Sequence, residues 1–327
     1  MKNPNTHKNA NARALKKVNG TLTHNRKTST LKTANLNVPH LKSDARTMLY
    51  GNQDEVAQLI GRIEFKDQWI HVVKGSTWYQ WTGTYWHQDL KAGGFDTIRK
   101  GIRTAIKRMN SWVKQMLRNG GLSNKDQEEL ESDARKADFA KRAKHYISDI
   151  YALVSKDDDY TIAPGAFDAD PNHLGTPEGT VDLTIPDFIS ADPCHYISRQ
   201  TICAPAKGEP DRWLQFLDEI FAGDQGVIDF IQRLCGYALT GQTREEKLFF
   251  LYGSGANGKS KFLETLTYIW NNYATRIAPT TLLNKRFSDH STEIAKLAGA
   301  RLVLGSELPT GEIWDDQKLK ELTGGDT

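Results

Sequence analysis

Residues Leu251 to Ser260 read LYGSGANGKS, which sets Gly253, Gly258, Lys259 and Ser260 at the spacing G-x-x-x-x-G-K-[ST]. This spacing constrains a ligand, a metal and a local geometry together. Three glycines (Gly253, Gly255 and Gly258) let the backbone turn its N–H groups inward around phosphates. Ser254, Ala256 and Asn257 complete the loop. Lys259 supplies a point charge to the outer phosphates of a nucleoside triphosphate such as ATP, and Ser260 a hydroxyl to Mg²⁺. The apolar run Leu248-Phe249-Phe250-Leu251-Tyr252 predicts a β-strand entering the loop. Phe262, Leu263, Leu266, Ile269 and Trp270 share a helical face after it, so the loop is predicted to open an amphipathic helix. The simpler reading is an unrelated glycine turn; the strand–loop–helix context argues against it.

A second element belongs with the first. Leu302-Val303-Leu304 predicts a short, fully apolar strand, and Glu307 follows its end. In open α/β sheets ligands gather at the carboxyl ends of strands, where a carboxylate can orient Mg²⁺ or polarise the attacking water.

Charge is unevenly shared. The 327 residues hold 43 Lys/Arg and 40 Asp/Glu, but the first 42 hold nine basic residues and no acid. The +3 net charge therefore combines a basic tail with a mildly acidic body. Residues 1–45 read as a disordered arm, either making non-specific phosphate contacts or merely solubilising. No apolar run reaches the roughly 20 residues of a membrane span, and the N-terminus has no apolar signal region, so no membrane role is expected. Three cysteines (Cys194, Cys203 and Cys235) fit a reducing compartment better than a disulfide framework. Buried thiols are the expectation; a zinc site on Cys194, His195 and Cys203 lacks a second pair at ligand spacing.

Between tail and loop, Val56, Leu59, Ile60 and Ile63 have helical spacing. Residues 69–89 hold four of the eight tryptophans, and Thr82-Gly83-Thr84 predicts a hairpin. Its aromatics serve either as a base-stacking platform or, preferably, as cross-strand packing. A long helix is predicted over 96–118, ended by Gly120-Gly121, with an apolar stripe and seven basic residues beside the lone Asp96. A solvated face is the default reading of that charge, nucleic-acid contact the second. One helical region is predicted over 125–153, a proline-rich loop region over 157–210 with a solvated Asp157-Asp158-Asp159 turn, and helices over 212–222 and 227–239. The final KLKELTGGDT reads by itself as a glycine-hinged loop.

Together, WYQWTGTYW, GTPEGTVDL, FLDEIFAGD, RLCGYALTG, LFFLYGSGANGKS, LAGARLVLGSE and K-x-x-TGGD resemble, in the same order, the phage/plasmid primase-helicase family. Its motor is a superfamily 3 helicase, and poxvirus-type primase-helicases are relatives. The resemblance implies an α/β protein: a mostly helical N-terminal domain with a small β-hairpin over 46–205, then a partial AAA+-like P-loop domain with a mainly parallel sheet over 206–327. It implies ATP and Mg²⁺ as cofactors, DNA as partner, a homo-hexameric ring, and a primase or initiator partner. Lys259 and Ser260 would serve the phosphates and Mg²⁺, and Glu307 would be the Walker B acid. Lys320, Thr323, Gly324, Gly325 and Asp326 match the segment leading to a DNA-contacting hairpin. Two departures stand out. Residues 1–45 are too short and polar for the family's primase domain. The family's sensor strand, which lies between the phosphate-loop and Walker B strands, and its arginine finger have no counterpart after Glu307, so a truncated product is expected. Glu307 also follows Ser306 rather than a second acid. The implied function is an ATP-dependent DNA helicase of phage or plasmid replication. A non-catalytic nucleic-acid-binding remnant and a P-loop phosphotransferase are the alternatives.

Overall fold

The computed structural model describes residues 43–253, 255–283, 296–305 and 313–324. Helix α1 (Ser43–Tyr50) buries Met48 and Leu49, so the last three residues of the stretch assigned to the tail are helical; residues 1–42 lie outside the described residues. Helix α2 (Gln53–Glu64) starts at a capping box: the Asn52 side chain accepts from the Glu55 amide, and the Glu55 carboxylate accepts from the Asn52 amide at 2.9 Å. It buries Val56, Leu59 and Ile60 of the face its spacing predicted, while Ile63 at the end of that face is exposed.

Strands β1 (Trp69–Val72), β2 (Thr77–Trp81) and β3 (Trp86–Gln88) form an antiparallel meander, joined in parallel by β4 (Thr161–Ile162). The Thr82–Thr84 turn is the predicted one. Trp69, Trp78 and Trp86 are buried. Trp78 lies edge-on to Phe65 at 5.0 Å and donates its indole N–H to the Tyr151 hydroxyl, while Trp86 donates to the Pro193 carbonyl. Their rings are core, so cross-strand packing accounts for them.

Helix α3 (Gly93–Asn119) runs 27 residues, with Ile98, Ile102, Ile106 and Met109 fully buried, and ends at Gly120 in the left-handed region (φ 72°). The single helical region expected over 125–153 is two helices, α4 (Asn124–Lys141) and α5 (Lys144–Val154). Ala143 turns to extended backbone between them (ψ 142°), which lets Ile147, Ile150 and Val154 face the core independently of α4. Helices α1, α2, α4 and α5 pack around α3.

The expected loop region contains a second antiparallel sheet, β5 (His173–Thr176), β6 (Gly179–Asp182) and β7 (Asp187–Ile189). Its strands are too short to show periodicity over their prolines. The Asp157 side chain accepts the Asp159 amide and starts the expected acidic turn. Helices α6 (Asp211–Ile220) and α7 (Gln225–Leu239) follow. Then come α8 (Lys259–Trp270), β8 (Ala274–Ile277), β9 (Leu302–Gly305) and α9 (Asp316–Gly324). Strands β8 and β9 pair in parallel.

Leu174 and Val181 of the second sheet share a buried cluster with Trp270 and Tyr273, across the boundary expected near 205. Tyr273, fully buried, ties it together: its hydroxyl accepts from the Gly175 amide at 2.9 Å and donates to the Arg199 carbonyl. Burial pushes this phenol up to about 12. The Arg301 guanidinium stacks over the ring, 4.6 Å from its centre, and donates to the carbonyls of His173 and Leu239.

Candidate nucleotide site

The loop is built at the head of α8. Gly253 (φ 158°), Gly255 (φ 91°), Ala256 (φ 49°) and Gly258 (φ 80°) all have positive φ. Two of these glycines also sit where a side chain would press on a neighbour. A Cβ on Gly253 would lie 1.9 Å from the Asn257 amide nitrogen, and one on Gly258 would lie 2.4 Å from a methyl of Ile220. The first lets the loop close on itself, the second seats α8 against α6. That seat is apolar: Trp213 stacks on Phe262 at 5.7 Å, within a cluster of Leu217, Ile231, Phe262 and Leu266.

Lys259 is the first residue of α8 and curls back over the loop. Its ammonium donates to Asn257 Oδ1 at 2.8 Å and to the Gly253 carbonyl at 3.3 Å. Ser260 follows on the exposed first turn. A cation and a hydroxyl thus stand at the positive end of a helix, an arrangement suited to phosphate. Asn257 was expected only as a loop residue; its grip on Lys259 depends on the loop's curvature and has no sequence signal of its own. The apolar face of α8 buries Phe262, Leu266 and Trp270 with Leu263 partly covered, but Ile269 is exposed.

The strand expected before the loop is not formed. Leu248, Phe249, Phe250, Leu251 and Tyr252 have no regular structure and are exposed, Tyr252 at 88%. Strands β8 and β9 pair with each other, and among the described residues no strand runs beside 248–252. A strand draws its stability from a neighbour's ladder, so an apolar run without one does not adopt it. Instead, Leu248, Phe249 and Leu251 line an apolar cavity of about 410 Å³ with Leu266, Leu302 and Leu304. Lys259 and Ser260 are not part of its wall, so this cavity is not the phosphate site.

Strand β9 forms where expected and is half-exposed, with Val303 at 41%. Glu307, Ser254, Gly325 and Asp326 lie outside the described residues. Lys320, Thr323 and Gly324, expected in a loop, are in helix α9, where Thr323 donates to the Leu319 carbonyl. Lys318 to Leu322 are all good helix formers, and they outweigh the glycines that follow. The cysteines also depart from expectation: Cys194 and Cys203 are exposed, and only Cys235 is half-buried. Among the described residues no three His, Cys, Asp or Glu side chains converge as a metal would need, and no helix is long and apolar enough to cross a membrane.

Comparison with known proteins adds the family. The profile described as "D5 N terminal like" matches residues 58–222. A protein of Acanthamoeba polyphaga mimivirus named as a "putative helicase" is 34% identical over 106 residues, which are 32% of this chain and 11% of that protein. The chain thus spans about a ninth of that relative's length. The matched profile begins within α2, takes in the tryptophan meander, α3 and both short sheets, and ends at α6. With half of its residues matched by that profile, the chain belongs to the D5 N terminal like family of phage and viral primase-helicases.

Proposed function

We propose that the chain carries the nucleotide site of an ATP-dependent DNA helicase serving phage or plasmid replication. The observation that carries this reading is the head of α8, where Lys259 folds over a loop in which a Cβ at 253 or 258 would press on Asn257 or Ile220. These residues fit ATP and Mg²⁺. The loop is short of side-chain bulk, its cation stands at the head of the helix, and Ser260 is exposed one residue further on. The Lys259 ammonium exchanges Asn257 and Gly253 for the outer phosphates, Ser260 offers its hydroxyl to the metal, and Glu307 supplies the Walker B carboxylate. Bound Mg²⁺ supplies charge neutralisation across those phosphates.

In this reading residues 46–205 are the helical domain and 206–327 belong to a superfamily 3, AAA+-like P-loop domain. The parallel pairing of β8 with β9 supports a mainly parallel sheet there. Lys320, Thr323, Gly324, Gly325 and Asp326 lead toward DNA, the motor works as a homo-hexameric ring with a primase or initiator partner, and the setting is the cytoplasm of a bacterium or phage-infected host. The mimivirus relative's name supports helicase work; DNA follows from that.

The test is Lys259→Ala in the full chain, read by binding of a fluorescent ATP analogue with Mg²⁺. Loss of a charge that contacts the outer phosphates is expected to weaken binding about 100-fold, with any hydrolysis or unwinding abolished alongside. Unchanged binding would sink the nucleotide-site assignment.

A further inference from the structure

We propose that the exposed face of α3 is a track for the phosphate backbone of nucleic acid. Arg99, Lys100, Arg103, Lys107, Arg108, Lys114 and Arg118 are all exposed on this helix. At 3.6 residues per turn, all but Arg108 fall within an arc of roughly 100°. That arc lies outside the face that buries Ile98, Ile102, Ile106 and Met109. Asp96 engages Arg99 and Lys100. No ion pair among the described residues involves Arg103, Lys107, Arg108, Lys114 or Arg118.

The neighbouring helix does not neutralise them. Helix α4 touches α3 through Asn110, which donates to Asp138 at 2.8 Å, but Asp138 also takes the Arg142 guanidinium. Glu131 and Asp133 of α4 pair with Arg135 and Lys136 of the same helix. These acids of α4 are therefore occupied locally, within a body that is otherwise net acidic. Like charges held in a row without partners repel, so the row favours an extended polyanion.

From Arg103 to Arg118 the row is about 22 Å long, at roughly 1.5 Å per residue. At about 3.4 Å of duplex axis per phosphate of one strand, that is the rise of about six phosphates, of which those on the near side of the duplex face the row. A membrane surface fits less well. An interfacial helix must bury an apolar face in lipid, and the apolar face of α3 is committed to the protein core. The proposal goes beyond the nucleotide site and does not depend on it.

The test compares the full chain with its variant Arg103→Gln, Lys107→Gln, Lys114→Gln, Arg118→Gln. All four side chains are exposed and, among the described residues, form no ion pair, so folding is expected to be unaffected. DNA affinity is measured against salt for an oligodeoxythymidylate and a 20-base-pair duplex. The slope of log affinity on log salt is expected to fall by about 3, at roughly 0.7–0.9 for each phosphate that is no longer neutralised. The basic tail is common to both proteins and cancels. The four-residue variant is expected to bind the fluorescent ATP analogue as the unaltered chain does, which separates this site from failure of the nucleotide reading. An unchanged slope on both DNAs overturns the proposal. So does loss of binding to phosphatidylserine vesicles, or to an acidic protein, with DNA binding intact.

Discussion

The helical half around α3 and the segment leading into the glycine loop before α8 hold similarly apolar residues and use them in opposite ways. Around α3, Val56, Ile60, Phe65, Ile98, Ile102, Ile106, Met109, Ile150 and Val154 are at most 1% exposed. They come from elements whose faces meet. At the loop, Leu248 to Tyr252 are 38–88% exposed beside an apolar cavity. The difference teaches that hydrophobicity and local propensity specify an element only when a partner surface is at hand. An amphipathic helix satisfies its own backbone and needs only a face to cover; a strand needs both a face and a ladder.

The comparison can be broken or sharpened by measurement. Ile106→Ala, in the closed core, is expected to lower unfolding stability by about 2–5 kcal/mol, read from the urea midpoint at unchanged slope. Tyr273→Phe, at the junction of the second sheet with α8, removes the hydroxyl that serves Gly175 and Arg199. It is expected to cost about 1–3 kcal/mol, because both backbone groups are left without that partner. A loss below about 0.5 kcal/mol would mean the junction is held by Arg301 and ring packing alone.

A smaller, pH-dependent effect comes from Lys141, whose buried ammonium donates to the Gly51 carbonyl and the Tyr146 hydroxyl. Burial pulls its value below the usual 10.5. Between the lowered value and 10.5 the unfolded chain binds more protons than the folded one, so stability from this group rises with pH across that window. The Lys141→Met variant is expected to lack that rise; parallel stability–pH curves for the two proteins would refute it. The smallest effect is expected at the loop's approach. Tyr252→Ser should change stability by less than about 0.5 kcal/mol. A loss as large as that of Ile106→Ala would erase the contrast between the two regions.

The legible parts of the fold share one property: their signal is local. The capped α2, the long α3 ended by Gly120, the hairpin around Gly83, α6, α7 and the start of α8 at Lys259 all declare themselves through spacing and turn residues. The break at Ala143 was hidden because helix-forming residues continue through it and only the separate docking of α5 reveals it. The β5–β7 sheet was hidden because its strands are three or four residues long and lie among prolines. At the site, the glycines, Lys259 and Ser260 were legible as a motif, whereas Asn257's hold on Lys259 and Ile220's contact with Gly258 follow from curvature and packing.

By itself the sequence determined the glycine spacing of the loop before α8, the helical faces of α2, α3 and α8, and the concentration of positive charge on α3, since each depends on residues a few positions apart. Only the tertiary structure decided that Trp69, Trp78 and Trp86 of the meander are core, that Tyr273 and Arg301 bind the second sheet to α8, and that Leu248 to Tyr252 stay out of a ladder. Those outcomes depend on which surfaces meet, and contacts between residues as far apart as Gly175 and Tyr273 leave no periodic trace along the chain.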